Sequence, residues 1–366
     1  MHSNNNIKVV SLFDGISCGR VALEKTGYAV SSYIAYEIDK YARAVSRYNF
    51  PDIKQCGNVL DADFSKYVGY DFVMGGSPCT FWSIANAGRE ISKGGMGWKL
   101  FMQFVEAIRQ IKPRHFLYEN VVSMPNNIRD YISEELGCAP ILINSALVSA
   151  QNRKRLYWTN IKGVTQPTDR GILLKDILES GMPYQDKSHC MTASYSGAVL
   201  WNSLGRSQRS MVAEPIALTE KSQTILATMY KENALSMVKR RKMGLFVAEE
   251  VSHAPIRLGS MGAGGQGNRI YSIQGKTVSL VANGGGLGAK TGLYKIDLPD
   301  GDYCIRKLTP IEAERLQTLP DNYTSLGIDD DGKTVEISKT QRYKAIGNGW
   351  TVDVISHILS HIAKGR

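Results

Sequence analysis

Two residues with reactive side chains, a cysteine and a glutamate, stand where strand-like stretches of the sequence end. One stretch, Tyr70 to Met74, leads into Gly75-Gly76-Ser77-Pro78-Cys79, and a second, His115 to Tyr118, leads into Glu119. Open α/β sheets bind their ligands at the carboxyl ends of the strands, so we expect both side chains at one edge of a sheet. A thiol and a carboxylate placed there can act on one planar ring, which indicates covalent catalysis on a base.

The elements that must position these residues alternate between strands and helices. Strands are predicted over 7–12, 30–36, 71–74, 116–118, 140–147 and 155–160, with helices over 19–26, 40–49, 98–112 and 128–136. This alternation predicts an α/β fold with a mostly parallel, doubly wound sheet. From about residue 163 to 300 the sequence is rich in glycine and in short β-prone segments, and we expect a separate, loop-rich β region.

Helical character returns near the end of the chain. Thr309, Pro310 and Glu312 have the pattern of a capped helix start. A last helix over 352–363 carries one apolar face and is expected to pack back on the first domain. We therefore predict domains over 1–162, 163–305 and 306–366, with the third completing the first.

Composition limits the partners and the type of site. The chain has 366 residues and a formal net charge of +10, which favours a polyanionic partner. Its six cysteines are scattered without a Cys-x-x-Cys pair, so we expect neither a metal site nor a disulfide framework. No membrane-length apolar stretch or signal peptide is evident, and we expect a cytoplasmic protein.

The turn after the first strand has the features of a cofactor site. Gly15 and Gly19 let the backbone approach a ligand, but the dinucleotide fingerprint is missing. Glu37 ends the next strand, where an acidic residue suits ribose hydroxyls, and Asn58 could read an adenine edge. A nucleoside cofactor without a phosphate cradle points to S-adenosylmethionine.

The ordered motifs resemble those of DNA cytosine-5 methyltransferases. They are SLFDGISCG, YEIDKYA, GGSPC, YENV, QNRKRLYW, RKLTPIEAERLQTLP and AIGNGWTV. Their details are most similar to the Dnmt3-like branch and its bacterial and phage relatives. The resemblance implies a Rossmann-like class I S-adenosylmethionine-dependent methyltransferase fold with a smaller, loop-rich β target-recognition domain.

The same resemblance implies which residues bind the cofactor. Glu37 would hold the ribose and Asn58 would read the amino edge of adenine, although the family usually has aspartate at that position. The remaining contacts would surround the adenine and the methionine part, or close over the cofactor from the terminal motif. They are Phe13, Asp14, Gly15, Ile16, Gly19, Ile38, Val59, Leu100, Asn348, Gly349 and Trp350.

The chemistry implied is addition of the Cys79 thiolate to C6 of cytosine, which makes C5 nucleophilic towards a methyl group. Glu119 would contact the ring N3 and the exocyclic amino group. Arg153 and Arg155 would favour the thiolate and fix the base. The other cysteines are expected to be core or incidental residues. No residue identifies itself as the base that removes the C5 proton.

The predicted substrate is double-stranded DNA, from which the target base must be flipped. We expect the loop after the nucleophile, with Thr80, Phe81, Trp82 and Ser83, to close on DNA, and Phe81 or Trp82 to fill the vacated space. A basic run is expected to bind phosphates: Lys239, Arg240, Arg241 and Lys242. The expected setting is a monomer acting on DNA near the nucleoid of a bacterial or phage-infected cell, with oligomers left open.

Three other functions remain to be weighed. An RNA methyltransferase of the same fold would use identical chemistry, but the Cys-Phe-Thr tripeptide of the tRNA-methylating relatives is missing here. A non-catalytic DNA-binding relative is disfavoured because Cys79, Glu119, Arg153 and Arg155 are all present. A Rossmann oxidoreductase is disfavoured by the missing phosphate fingerprint.

Overall fold

The computed structural model describes residues 6–183, 185–198, 208–215, 257–260, 269–271, 293–294 and 303–362. The chain forms two compact units. The first comprises Met1–Glu179, Pro183–Ala198 and Leu308–Arg366, and the second comprises Ser180–Met182 and Val199–Lys307.

A seven-stranded sheet forms the centre of the first unit. Its strands are β1 (Asn6–Leu12), β2 (Ala29–Tyr36), β3 (Lys54–Gln55), β4 (Phe72–Gly75), β5 (His115–Val121), β6 (Ile141–Asn144) and β7 (Lys154–Thr159). They lie in the order β3-β2-β1-β4-β5-β7-β6. The neighbouring pairs among β1 to β5 are parallel, whereas β7 runs antiparallel to both β5 and β6. The strand order reverses between β1 and β4, which is where such sheets bind ligands.

Helices cover both faces of this sheet, which confirms the predicted α/β fold class. The described helices of the first unit are α1 (Cys18–Lys25), α2 (Lys40–Asn49), α3 (Met96–Ile111), α4 (Asn126–Leu136), α5 (Leu174–Ile177), α6 (Pro310–Leu316), α7 (Lys339–Asn348) and α8 (Val352–Leu359). Those that pack against the two faces of the sheet include α1, α2 and α8 on one face and α3 and α4 on the other. Successive residues of β1 point to opposite cores: Val9 packs in the cluster of α1, α2 and α8, and Val10 in the cluster of α3 and α4. Burial on both faces explains why the central strands read as continuous apolar runs.

The first unit extends beyond residue 162, where we placed the end of the first catalytic segment. It includes residues 163–179 and 183–198, which we had assigned to the target-recognition region. Lys187 shows the physical reason, because its ammonium group donates to the carbonyl oxygens of Ala146 at 2.8 Å and Ile172 at 2.6 Å.

The return segment starts at the capped helix that the sequence predicts. Thr309 Oγ1 accepts from the Glu312 amide at 3.1 Å, and Glu312 Oε2 accepts from the Thr309 amide at 2.7 Å. This capping box begins α6. The segment ends in α8, whose apolar face lies in one core cluster with α1.

The remaining strands are short. They are β8 (Met182–Pro183), β9 (Met211–Pro215), β10 (Arg257–Ser260), β11 (Arg269–Tyr271), β12 (Leu293–Tyr294), β13 (Tyr303–Lys307), β14 (Leu326–Ile328) and β15 (Thr334–Glu336). In the second unit, β9 pairs antiparallel with β13, and β10 pairs antiparallel with β11. In the first unit, β14 and β15 form an antiparallel hairpin.

Candidate active site

Cys79 lies just beyond β4, at the start of a short 3-10 turn over Cys79–Phe81. The loop that leads to it is fixed by side chains of β5. Ser77 Oγ lies 2.6 Å from Tyr118 Oη, and Asn120 Nδ2 donates to the Ser77 carbonyl oxygen at 3.2 Å. These groups are buried, and leaving any of them unpaired would cost about 1–3 kcal/mol. Strand β5 therefore positions the thiol as well as the carboxylate.

Glu119 lies inside β5, so our prediction that this strand ends at Tyr118 is wrong. In the antiparallel register Glu119 is opposite Tyr157 and Val121 is opposite Arg155, which makes Arg155 the diagonal neighbour of Glu119 on the same face. Arg155 forms an ion pair with Glu119, with Nε 2.9 Å from Oε1. Both carboxylate oxygens are thus held, because Trp350 Nε1 donates to Glu119 Oε2 at 3.1 Å.

The backbone before Cys79 lies directly against this carboxylate. A Cβ atom built on Gly76 would lie 2.8 Å from the Glu119 carbonyl oxygen and 3.0 Å from Glu119 Oε2. The second glycine of the Gly-Gly-Ser-Pro-Cys stretch is therefore required by close approach rather than by backbone conformation.

The surroundings of Cys79 hold its proton in place. Burial, followed by the negative charge of Glu119, raises the pKa of the thiol, and the charges of Arg155 and Arg153 only partly oppose this. The Cys79 side chain is therefore a thiol at neutral pH. Any event that withdraws the charge of Glu119 favours the thiolate.

Arg153 is buried and its forked donors are committed to main-chain oxygens. Nη1 donates to the Met191 carbonyl at 2.9 Å and Nη2 to the Gly349 carbonyl at 2.9 Å. Both nitrogens lie 3.4 Å from the Gly347 carbonyl oxygen. Arg153 thus holds the terminal motif in place, and of the two arginines only Arg155 lies against Glu119.

Cys190 was expected to be a core or incidental residue, but the structure places it next to the two arginines of the site. Its Sγ lies 3.4 Å from Arg153 Nη1 and 3.8 Å from Arg155 Nη2. It lies in a stretch without a characteristic spacing relative to either arginine, so no sequence pattern identifies it.

A buried network of amides joins motifs that are far apart in the sequence. Gln151 Nε2 donates to Gln317 Oε1 at 2.9 Å, and Gln317 Nε2 donates to the Ile346 carbonyl at 2.9 Å. Thr351 Oγ1 also donates to Gln317 Oε1, at 2.8 Å. The QNRKR, RLQ and GNGW motifs are therefore parts of one hydrogen-bonded structure.

The turn from β1 to α1 forms the floor of the predicted cofactor site. Phe13 and Gly15 have φ values of 58° and 60°, so the chain passes through left-handed backbone. Asp14 accepts from Tyr33 Oη at 2.7 Å and from Ser17 Oγ at 2.6 Å, and burial raises the pKa of its carboxyl group.

Glu37 faces this turn from the end of β2. Its Oε2 accepts from the Gly15 amide at 2.9 Å, and its Oε1 accepts from the Ile38 and Asp39 amides at 2.8 Å each. Because a carboxylate has about four acceptor positions, one remains for a ligand hydroxyl. Burial raises the pKa of the Glu37 carboxyl group.

The other predicted cofactor residues differ in exposure. Ile38 is 72% exposed although it is apolar. Asn58 is exposed, but its Oδ1 accepts from the Leu60 amide at 3.1 Å and caps a 3-10 turn. Asn348 is exposed; Phe13, Leu100 and Trp350 are half-buried; and Ile16, Val59, Gly19 and Gly349 are buried. Ile16 is fully buried, backbone included.

Trp350 lies between the turn from β1 to α1 and Glu119. A Cβ atom on Gly19 would lie 3.5 Å from Trp350 Cζ3, and one on Gly76 would lie 3.5 Å from Trp350 Nε1. The indole therefore spans from the start of α1 to Glu119.

Of the two residues predicted to fill the space left by the flipped base, Trp82 is fully buried in the core cluster that includes Phe101 and Tyr118. The side chain is buried because the 3-10 turn after Cys79 directs it into the core on the side of α3. Phe81 is half-buried and lies against Gly97, whereas Thr80 is exposed and Ser83 is half-buried.

Polar contacts hold the loop that follows. Both Glu90 carboxylate oxygens lie 3.0 Å from the Gly97 amide, and Arg89 Nη1 donates to the Ser123 carbonyl at 2.8 Å. The predicted phosphate-binding run of Lys239, Arg240, Arg241 and Lys242 lies outside the described residues.

Two general features of the described ranges bear on the type of site. Among those residues, no group of three or more histidine, cysteine, aspartate or glutamate side chains is arranged to hold a metal ion. In the same part of the chain, no helix has the length and apolar character needed to cross a membrane.

The chain is similar to a known protein family along nearly its whole length. The family model described as C-5 cytosine-specific DNA methylase matches residues 7–364. The chain is 26% identical to the type II methyltransferase M.HhaI of Haemophilus parahaemolyticus, over 97% of this chain and 94% of that protein. It is 24% identical to the orphan methyltransferase M.SPRI of Bacillus phage SPR, over 97% of both.

Two solved structures share the fold. A mutant of Spodoptera frugiperda DNMT2 matches with a TM-score of 0.56 at 16% identity, over 98% of this chain and 99% of its own. The Entamoeba histolytica methyltransferase EhMeth matches with a TM-score of 0.59 at 14% identity, over 98% of each chain. At these identities the likeness concerns the fold alone.

Proposed function

The chain belongs to the C-5 cytosine-specific DNA methylase family, and on that premise we propose that it methylates C5 of a flipped cytosine in double-stranded DNA through a covalent bond from Cys79. The observation that carries the proposal is the contact between Arg155 and Glu119, at 2.9 Å, beside the loop that presents Cys79. This arrangement combines a nucleophile, a carboxylate for the ring nitrogen and a cation in one place.

The residues around the β1 turn fit S-adenosylmethionine as the methyl donor. Ile38 leaves a large apolar surface exposed and Phe13 is half-buried, and apolar side chains of this kind suit an adenine ring. Glu37 keeps one acceptor position for a ribose hydroxyl. When bound, S-adenosylmethionine supplies an electrophilic methyl group. Trp350 would bring the donor side of the site next to Glu119, to which its indole is hydrogen-bonded.

Cys79 forms the first new bond. Its Sγ gives up its proton to the Glu119–N3 pair and adds to C6 of cytosine, while the C5–C6 double bond shifts to C4–C5 and the charge that develops at N3 is neutralised by that proton. These electrons then return through C5, which would take up the methyl group as the bond from that group to the sulfur of its donor breaks. C5 next loses its proton to water or hydroxide. The Sγ–C6 bond breaks as the double bond reforms, and the Cys79 thiolate leaves.

Binding of the base would also activate the nucleophile. The charge of Glu119 is the first of the nearby charges that raise the pKa of Cys79. A ring nitrogen that shares a proton with Glu119 withdraws this charge, so the thiolate forms when a base is present. Arg155 remains in place to favour it.

We further propose the cellular setting from charge and relatives. The net charge of +10 suits a polyanion, and the similar proteins include a type II and an orphan phage methyltransferase. These features support action as a monomer on duplex DNA near the nucleoid, in the cytoplasm of a bacterial or phage-infected cell. The proposed functional domains remain 1–162, 163–305 and 306–366.

Expression in a host free of cytosine methylation, followed by bisulfite sequencing, tests the function and reveals the target sequence. We expect 5-methylcytosine at one recurring sequence with the parent chain and with Cys138→Ser, which changes a half-buried thiol just after α4. Cys79→Ser should give none. Duplex DNA containing 5-fluorocytosine should trap the parent protein as an adduct.

Two results would overturn the proposal. One is methylation by Cys79→Ser at the parent rate, and the other is failure of the parent to form the adduct. Transfer of label to tRNA but not to duplex DNA would favour the RNA methyltransferase instead.

A further inference from the structure

A second sulfur, that of Cys190, contacts the arginines of the site. It lies 3.4 Å from Arg153 Nη1 and 3.8 Å from Arg155 Nη2, so it bridges two guanidinium groups. Arg155 uses Nε for Glu119 and another nitrogen of the same planar group for Cys190. The guanidinium is therefore held at two points.

The segment that carries Cys190 is fixed along its length. The Met191 amide donates to Gln151 Oε1 at 3.1 Å, and the Ser188 amide donates to the Ala150 carbonyl at 2.6 Å. The backbone beyond it presses on α7, because a Cβ atom on Gly347 would lie 2.2 Å from the Thr192 carbonyl carbon. The position of the sulfur is thus set by main-chain contacts on both sides.

The charges of the site balance if Cys190 is ionised. Arg155 is paired with Glu119, while the other hydrogen bonds of Arg153 go to the neutral carbonyls of Met191, Gly347 and Gly349. A buried charge without a counter-charge is unfavourable. A thiolate at Cys190 supplies that counter-charge.

The titration behaviour of the two thiols agrees with this balance. Burial on its own raises the pKa of Cys190, but the charges and hydrogen bonds of Arg153 and Arg155 outweigh it and hold the pKa below the usual thiol value. The titratable groups that interact electrostatically with Cys190 are these two arginines, Cys79 and Tyr157. The pKa of its sequence neighbour His189 is lowered by burial. Cys190 in turn contributes to raising the pKa of Cys79.

We propose that Cys190 is a positioning residue, a resting thiolate that orients the Arg155 guanidinium against Glu119 and keeps the nucleophile protonated until a base binds. The inference rests on the proposed roles of Cys79 and Arg155. Under this proposal Cys190 carries a resting negative charge, and Cys79 attacks the base.

The first test measures ionisation without DNA or turnover. In the Cys79→Ser protein, thiolate absorbance and mass-spectrometric labelling of Cys190 by iodoacetamide are followed against pH. We expect Cys190 to titrate below the ordinary thiol value of ~8.5, and the absorbance change to disappear in Cys79→Ser/Cys190→Ala. Titration of Cys190 at or above that value overturns the inference. Labelling of Cys190 by iodoacetamide is measured without a substitution at position 190, so its result is valid even if Cys190→Ala does not fold.

The second test separates positioning from structural support. Cys190→Ser keeps a hydrogen-bond acceptor without the charge, and we expect kcat to fall about tenfold, as for loss of a charged hydrogen bond, with KM for S-adenosylmethionine unchanged. The pH dependence of Cys79 alkylation should move to lower pH. Cys190→Asp should restore part of kcat, and Cys138→Ser should match the parent.

An unchanged kcat and an unchanged Cys79 profile in Cys190→Ser would overturn the proposed role. Failure of the proposed function is recognised separately, because it appears as missing adducts in the parent protein and leaves the Cys190 titration untouched.

Discussion

Substitution of Gly76 by alanine tests whether the placement of Glu119 limits catalysis. The added Cβ would lie 2.8 Å from the Glu119 carbonyl oxygen and 3.0 Å from its Oε2, whereas ordinary van der Waals contact begins at 3.4 Å. The backbone oxygen must therefore retreat by 3.4 − 2.8, about 0.6 Å, and the carboxylate by 3.4 − 3.0, about 0.4 Å.

These displacements set the expected magnitude. Overpacking of this kind costs about 1–3 kcal/mol of folding free energy, which the fold should tolerate. A displacement of about 1 Å at a catalytic group costs about 100-fold in rate, so we expect kcat of Gly76→Ala to fall about 10- to 100-fold. KM for S-adenosylmethionine should change less than about threefold (roughly 0.7 kcal/mol), because the β1 turn is not touched. Single-turnover methyl transfer and trapping on 5-fluorocytosine DNA measure the effect.

Gly94→Ala is the matched control. It lies in the loop after Cys79, and a Cβ atom there would have nothing within 4 Å. We expect its kcat to equal that of the parent. A folded Gly76→Ala protein with parent kcat would refute the reasoning, and an equal loss in Gly94→Ala would assign the effect to the loop as a whole.

Three further predictions concern side chains around the nucleophile. Trp82→Ala should lower the free energy of unfolding by about 3–5 kcal/mol in urea titrations, because the side chain is fully buried, and Phe81→Ala should cost less. Alkylation of Cys79 in the DNA-free protein should keep accelerating as pH rises past ~8.5, and Glu119→Gln should move that rise to lower pH; a profile indifferent to Glu119 would contradict the assigned cause. Arg155→Lys keeps the charge but loses the planar fork, so kcat should fall at least about tenfold in methyl-transfer assays while the thermal midpoint changes little; full activity would show that charge alone suffices.

Much of the fold could be predicted from local patterns. The helix predicted over 40–49 is α2 to the residue, and the capping motif marks the start of α6. The predicted ends of the strands differ from the observed ends by a few residues. Hydrogen bonding to the neighbouring strand, rather than the composition of the strand itself, decides where a strand ends. Strand β5 extends beyond its predicted end because the antiparallel β7 continues to pair with it as far as Val121.

The site was predictable where a residue's role depends on its own strand or turn. Cys79 follows from the strand, glycines and proline before it, and Glu37 from the end of β2. The burial of Trp82 and the arginine contacts of Cys190 were not predicted, because both depend on segments distant in sequence. Trp82 joins residues of α3 in the core, and Cys190 meets two arginines at the start of β7. No local sequence pattern predicts the contact of Trp82 with α3 or that of Cys190 with the arginines.

The arginines of the QNRKR motif show how one short segment serves both folding and chemistry. Arg153 directly precedes β7 and Arg155 lies in it, and both reach Cys190. Arg153 directs its remaining donors to main-chain carbonyls that include that of Gly349, the residue before Trp350, and Arg155 directs Nε to Glu119. The Trp350 indole in turn donates a hydrogen bond to Glu119. The contacts form a closed ring, so a change at any member alters the geometry of the carboxylate. The return segment therefore contributes directly to the geometry around Glu119, because Gly349 and Trp350 are members of this ring.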